Sequence, residues 1–371
     1  MIGSGGIAQR AHLPAYKKLQ DEGLARIVAV CDADERTAQA AAEQFDVPLR
    51  FTDYRDVVCG IDGMWDHWPY SKMQSGFILE RRLAEVDAVD VCTPNYLHVQ
   101  PVVDAFAAGK HVLCEKPIAR NAVEGQAMLD ASKKAGKKFQ VALNLRFNSG
   151  PMAVKRFIDD GQIGEIYYAR AHALRRRGIP AQGVFTQKDK QGGGPLIDIG
   201  VHILDLTLWL MGYPKPVATT GVTYTKFGTR EGLIGLRGKW DPKNYTVEDF
   251  ATGFVRFENG STLMLESSFA ANLEKDLFTT QVFGTEGGAS LNPFQPDSVR
   301  LFREESGTLT DTTPVFLPQA PAYESEIRAF LLAILEDKPV PVPGEQGLMV
   351  TRILDAIYES SETGREVLME G

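Results

Sequence analysis

Residues 1–32, MIGSGGIAQRAHLPAYKKLQDEGLARIVAVCD, set the fold class. Gly3, Gly5 and Ala8 fit the spacing G-x-G-x-x-G/A, and the residues after Ala8 read as the opening of a helix. Small residues here, with Gly6 and Ile7 between them, let backbone N–H groups approach a pyrophosphate at a helix N-terminus. The run RIVAVCD then reads as a buried strand ending on Asp32, whose carboxylate would accept hydrogen bonds from ribose hydroxyls and repel a 2'-phosphate. NAD is therefore expected as the cofactor, with NADP as the alternative because Arg36 lies close behind. Alone, a glycine turn is a weak signal, and Asp32 also reads as a helix N-cap. Only Met1 and Ile2 precede Gly3, where a strand of about five residues is expected, so the expectation is that upstream residues lie outside this numbering.

Farther along the chain, VDAVDVCTP, KHVLCEKP and KKFQVAL read as further buried strands, separated by the helical patterns TAQAAAEQF, HVQPVVDAFAAG and EGQAMLDASKKAG. Strand and helix alternation predicts a doubly wound parallel sheet of Rossmann type, assigned to residues 1–120. From about residue 150 the pattern changes to two-residue alternation, clearest in FATGFVRFENGSTLMLESSF with Asn259-Gly260 as its turn. Residues 121–371 are thus expected to form an α+β domain with a large, open, mostly antiparallel sheet. Two closing helices, near 323–335 and 346–362, are expected to pack back on the first domain.

Composition narrows the function classes. The chain has 371 residues, 44% of them hydrophobic and 24% charged, as in a two-domain globular protein. A net charge of -8 argues against nucleic acid as the main partner. No apolar run is read as a membrane span and the N-terminus lacks the regions of a secretory signal, so a cytoplasmic location is expected. Cys31, Cys59, Cys92 and Cys114 fit neither a zinc site nor a redox pair, and are read as reduced structural thiols with no metal. Residues 58–84 hold Trp65, Trp68, Tyr70 and Phe77 and are read as an insertion packed on its own domain, a subunit contact or a wall of the site.

Two further strand ends, CTPNYLH and CEKP, point to the crevice outside the sheet, and Lys116 there reads either as a catalytic amine or as a solvated loop charge. In GGGPLIDIGVHILDL, Asp198, His202 and Asp205 stand at i, i+4 and i+7 in an otherwise apolar helical run, which places them on one helix face. Arg175, Arg176 and Arg177 precede a polar loop that reads either as a lid meeting the hydroxyls or a carboxylate of a substrate or as solvated, the second preferred for the arginines, while Phe185 and Lys188 are candidate substrate contacts.

In this order and spacing, GSGGIAQRAHLPA, CTPNYLH, CEKP and GGGPLIDIGVHILD resemble the Gfo/Idh/MocA oxidoreductases, the family of glucose-fructose oxidoreductase and inositol dehydrogenases. The resemblance implies a dehydrogenase that oxidises a secondary alcohol of a sugar, anhydrosugar or polyol, with Lys116, Asp198 and His202 as its catalytic set. It also implies that Thr93, Asn95, His98 and Glu115 line the cofactor and that Asn144 and Arg146 lie near the substrate. His202 is the expected general base and Lys116 the group that steadies charge on the hydroxyl oxygen. The competing readings are an NAD-dependent glycoside hydrolase using transient oxidation and a non-catalytic cofactor-binding regulator. A homodimer or homotetramer through the open sheet is expected, on the ground that its exposed face carries Phe, Leu and Val.

Overall fold

The structure, a computed structural model, describes residues 1–58, 86–319 and 321–369. The aromatic insertion and Cys59 lie outside the described residues, apart from Val58. The chain forms two compact units. The first comprises Met1–Ala119, Val123–Ala142 and Tyr323–Glu345, and the second Arg120–Ala122, Leu143–Ala322 and Gln346–Gly371.

Among the described residues of the first unit the named strands pair in parallel, and Gln140 adds one antiparallel bridge to Pro343. Strand β1 (Ala29–Cys31) pairs with β2 (Leu49–Phe51), and β3 (Ala88–Val91), β4 (His111–Glu115) and β5 (Phe139–Ala142) follow one another. Ile2 joins the two sets, bridging in parallel to Cys31 on one side and Val91 on the other. The place of a central strand is thus held by Met1–Gly3, through Ile2 N–H to Asp90 O (2.8 Å) and Cys92 N–H to Ile2 O (2.7 Å). Strands β1, β4 and β5 are almost wholly buried, as strands of a sheet covered on both faces are. Since β5 pairs with β4, the first unit runs past residue 120. Its helix Ala322–Leu335 buries Ile327 and Phe330 against Leu19, Leu113 and Ala142.

The second unit is built on a nine-stranded sheet of order β13-β12-β11-β10-β6-β9-β8-β7-β14. Its strands are β6 (Ile166–Leu174), β7 (Pro216–Tyr224), β8 (Phe250–Phe257), β9 (Thr262–Ser268), β10 (Leu277–Gly284), β11 (Gly287–Asn292), β12 (Gln295–Glu305), β13 (Thr308–Thr312) and β14 (Val367–Leu368). Only β6 and β9 pair in parallel; the other pairings are antiparallel, and β8 turns into β9 through Asn259 and Gly260. Alternation sets one face of the sheet against helices, burying Val255, Leu263, Leu265 and Val282. While these Val and Leu residues lie on the buried face, the open face does have the phenylalanines expected of it. It carries Tyr168, Phe250, Phe254, Met264 and Phe283 among Arg170, His172, Arg256 and Glu266. Arg170 lies over the rings of Tyr168 and Phe283, at 5.6 and 5.5 Å.

The segment Lys188–Leu210 has the length and apolarity of a membrane span, but 83% of its most apolar 18 residues is buried inside the protein. It is the helical segment against which the sheet packs. Cys31, Cys92 and Cys114 are buried and free, and burial pushes the first two thiols up to about 12.

Candidate active site

In the first unit the glycine turn closes on Asp32. Gly3 has φ +82°, and a Cβ there would strike the backbone of Cys92 and Thr93, so glycine alone fits. The helix beyond the turn opens with a π-helical segment, Ala8–His12. Gln9 N–H donates to Gly5 O at 3.0 Å, and the N–H groups ahead of it are those that a helix start leaves without an intrahelical acceptor. Asp32 Oδ2 accepts the Ser4 N–H at 3.0 Å and Oδ1 the Asp34 N–H at 3.1 Å. The helix N-cap is Asp34, which accepts from Arg36 N–H and Thr37 Oγ1, so Asp32 is released from that structural duty. Arg36 is exposed and pairs with Asp34 at 3.6 Å.

These residues fit a dinucleotide. A Cβ on Gly5 would meet nothing within 4 Å, and Ser4 Oγ is buried without a hydrogen-bond partner at the same turn. Gly5, Gly6, Ile7 and Ala8 would hold a pyrophosphate, and Asp32 the ribose hydroxyls.

Around this turn the two other strand ends are tied together. His98 is fully buried, with Nδ1 3.0 Å from Pro117 O and Nε2 2.8 Å from Thr93 O. Burial lowers its pKa. Thr93 Oγ1 donates to Leu97 O, Asn95 is buried, and Lys116 is half-buried. Glu115 turns inward: its Oε2 accepts the Lys116 N–H at 3.0 Å and its Oε1 lies 2.9 Å from His12 Nε2.

In the second unit a π-helical turn, Leu196–Gly200, leads into the helix Val201–Leu210, and π turns recur at functional sites. Glu248, which the sequence reading missed, caps this segment. It accepts Gly194 N–H at 2.9 Å, Leu196 N–H at 3.1 Å and Tyr358 Oη–H at 2.9 Å. Burial raises its pKa against the pull of those donors. A Cβ on Gly194 would run into Glu248 O, which is why this close approach needs glycine.

The helix is buried along its length except at His202 and Trp209. The predicted acidic stripe divides. Asp198 is 8% exposed and has Arg175 Nη1 3.8 Å from its Oδ2. Asp205 is instead sealed by Arg146, which donates from Nε (2.8 Å) and Nη2, and by Tyr213 Oη. Arg146 is 3% exposed and also donates to Gln346 Oε1 at 2.6 Å. Its guanidinium is thus spent within the fold. Asn144 is buried, and its Oδ1 has no hydrogen-bond partner.

Arg175 is buried and Arg177 partly so, while Arg176 is exposed as expected, and all three are held by hydrogen bonds or ring contacts. Arg175 is buried beside Phe269 and its pKa is lowered by burial. Arg176 donates to Glu274 O, and Arg177 donates to Ala271 O and Asn272 Oδ1 while stacked 4.7 Å from the Phe227 ring. Lys188 pairs with Glu362 at 3.6 Å, and Phe185 is exposed.

Comparison with known proteins bears on both units. Residues 1–143 match the family described as "Oxidoreductase family, NAD-binding Rossmann fold", and residues 155–369 its "C-terminal alpha/beta domain". A D-glucoside 3-dehydrogenase of Escherichia coli (strain K12) is 33% identical over 369 residues, 99% of this chain and 96% of that protein. A levoglucosan dehydrogenase of Pseudarthrobacter phenanthrenivorans is 26% identical over 96% of this chain and 94% of its own. A solved levoglucosan dehydrogenase, in complex with NADH and L-sorbose, superposes with a TM-score of 0.80 at 26% identity, over 99% and 97% of the two chains.

Proposed function

The chain belongs to the Gfo/Idh/MocA oxidoreductase family, and on that basis we propose that it oxidises a secondary alcohol of a sugar, anhydrosugar or polyol with NAD. The observation that carries this reading is His202. It is the one ionisable side chain of a buried helix that keeps access to solvent, one turn beyond Asp198. An imidazole so placed accepts the proton of a substrate hydroxyl near neutral pH. Asp198 orients the imidazole or a neighbouring hydroxyl, and Lys116 steadies negative charge on the reacting oxygen. Bound NAD supplies the acceptor for hydride. Asn144 Oδ1 is a buried acceptor that a substrate hydroxyl would satisfy. The same reading includes a cytoplasmic location and a homo-oligomer formed through the open sheet face.

The test is a panel of monosaccharides, glucosides, anhydrosugars and inositols, each with NAD and NADP, read by absorbance of the reduced nicotinamide. Steady NADH production from at least one of them is expected. Sugar release from a glycoside without accumulated NADH would replace the dehydrogenase with a hydrolase, and nicotinamide binding without either reaction would leave a regulator.

A further inference from the structure

His12 lies beyond the glycine turn, at the end of the Ala8–His12 segment, and is 0% exposed. Its Nδ1 is 2.7 Å from Asp90 Oδ2, in β3, and its Nε2 is 2.9 Å from Glu115 Oε1, at the end of β4. A ring with a carboxylate at each nitrogen donates from both and is held as imidazolium. Burial pulls its pKa down, and the charge of Asp90 foremost outweighs this to raise it well above the ordinary value. The Cys92 thiol, Tyr16 and the tilted ring of Tyr323 complete its surroundings.

The atoms of His12, Asp90 and Cys92 lie within 4.8 Å of one another, a spacing that would suit a metal ion. Yet both ring nitrogens are committed to carboxylates and burial disfavours the thiolate, which leaves neither a free imidazole lone pair nor a thiolate for a metal. A buried ionic cluster contributes little net stability over apolar packing, so its place at the root of the Glu115-Lys116-Pro117 turn points to another use. The second oxygen of Glu115 holds the Lys116 N–H, so the contacts run unbroken from the helix through imidazolium and carboxylate to the lysine backbone.

We propose that His12 is a positioning residue: it clamps the Glu115 carboxylate, which in turn fixes the backbone of Lys116 and the direction in which its amine leaves β4. Only the effect on turnover rests on the reading of Lys116 as catalytic; the effect on its backbone does not.

The full-length protein is compared with His12→Gln and Glu115→Gln, the second keeping side-chain shape while removing the charge. Amide hydrogen exchange is followed residue by residue along β4. In His12→Gln the Lys116 amide is expected to exchange at least about tenfold faster, with Leu113 and Cys114 nearly unchanged. Turnover should fall about 10- to 100-fold with KM for NAD within about twofold, and adding His12→Gln to Lys116→Met should cost nothing more. Glu115→Gln should show the same local exchange, and it is the variant read if His12→Gln does not fold. Exchange that rises evenly along β4, or not at all at Lys116, overturns the inference. A local response combined with full turnover in Lys116→Met upholds it and instead removes Lys116 from the chemistry.

Discussion

Arg146 and His202 divide the candidate residues by what surrounds them. Removing the imidazole by His202→Ala should lower kcat by about 10²- to 10⁴-fold, as loss of a general base does, and leave NADH affinity within about twofold by fluorescence titration. Equal loss of both would mean that His202 supports the fold instead. Arg146 should behave in the opposite way. Arg146→Ala strands Asp205 as an uncompensated buried charge, so a loss of about 3–5 kcal/mol is expected in urea unfolding, with little change in substrate KM for the protein that remains folded. The pairing of Arg146 with Asp205 spans 59 residues of sequence and that of His12 with Glu115 spans 103, and no local pattern announces either. Spacing could place Asp205 on the helix; it could not say that an arginine would claim it.

At the level of elements, periodicity read the molecule well. Apolar runs located β1, β3, β4 and β5, and alternation located β8 and β9, because burial on two faces or on one leaves different signatures in the chain. What periodicity missed is what depends on contacts distant in sequence. The parallel joining of β6 to β9 is one such contact, and the capping of the Gly194–Leu196 backbone by Glu248, 54 and 52 residues away, is another. Glu248→Ala should therefore destabilise by about 1–3 kcal/mol for each donor left without an acceptor. Because Asp198 sits on the turn that Glu248 holds, kcat should also drop, by about tenfold. Glu248→Gln, which still accepts one N–H, should recover part of both in paired unfolding and kinetic measurements.

For the whole molecule, the open face of the nine-stranded sheet makes a prediction about assembly. Its aromatic rings lie among arginines and acids, a surface that a second copy would cover more readily than water. Phe254→Lys should shift the mass seen by light scattering toward the single chain without altering NADH affinity. The strand order carries a second consequence, for the route by which this unit folds. β7, β8 and β9 form one run of neighbours and β10 to β13 another, each made by pairing strands adjacent in sequence, while β6 lies between them with partners about a hundred residues downstream. Two ribbons can therefore nucleate early on cheap loops, and a single late insertion zips them together. Val299→Ala, in the early outer ribbon, should retard refolding in stopped-flow traces, whereas Ala171→Gly, at the centre of the strand inserted late, should chiefly hasten unfolding.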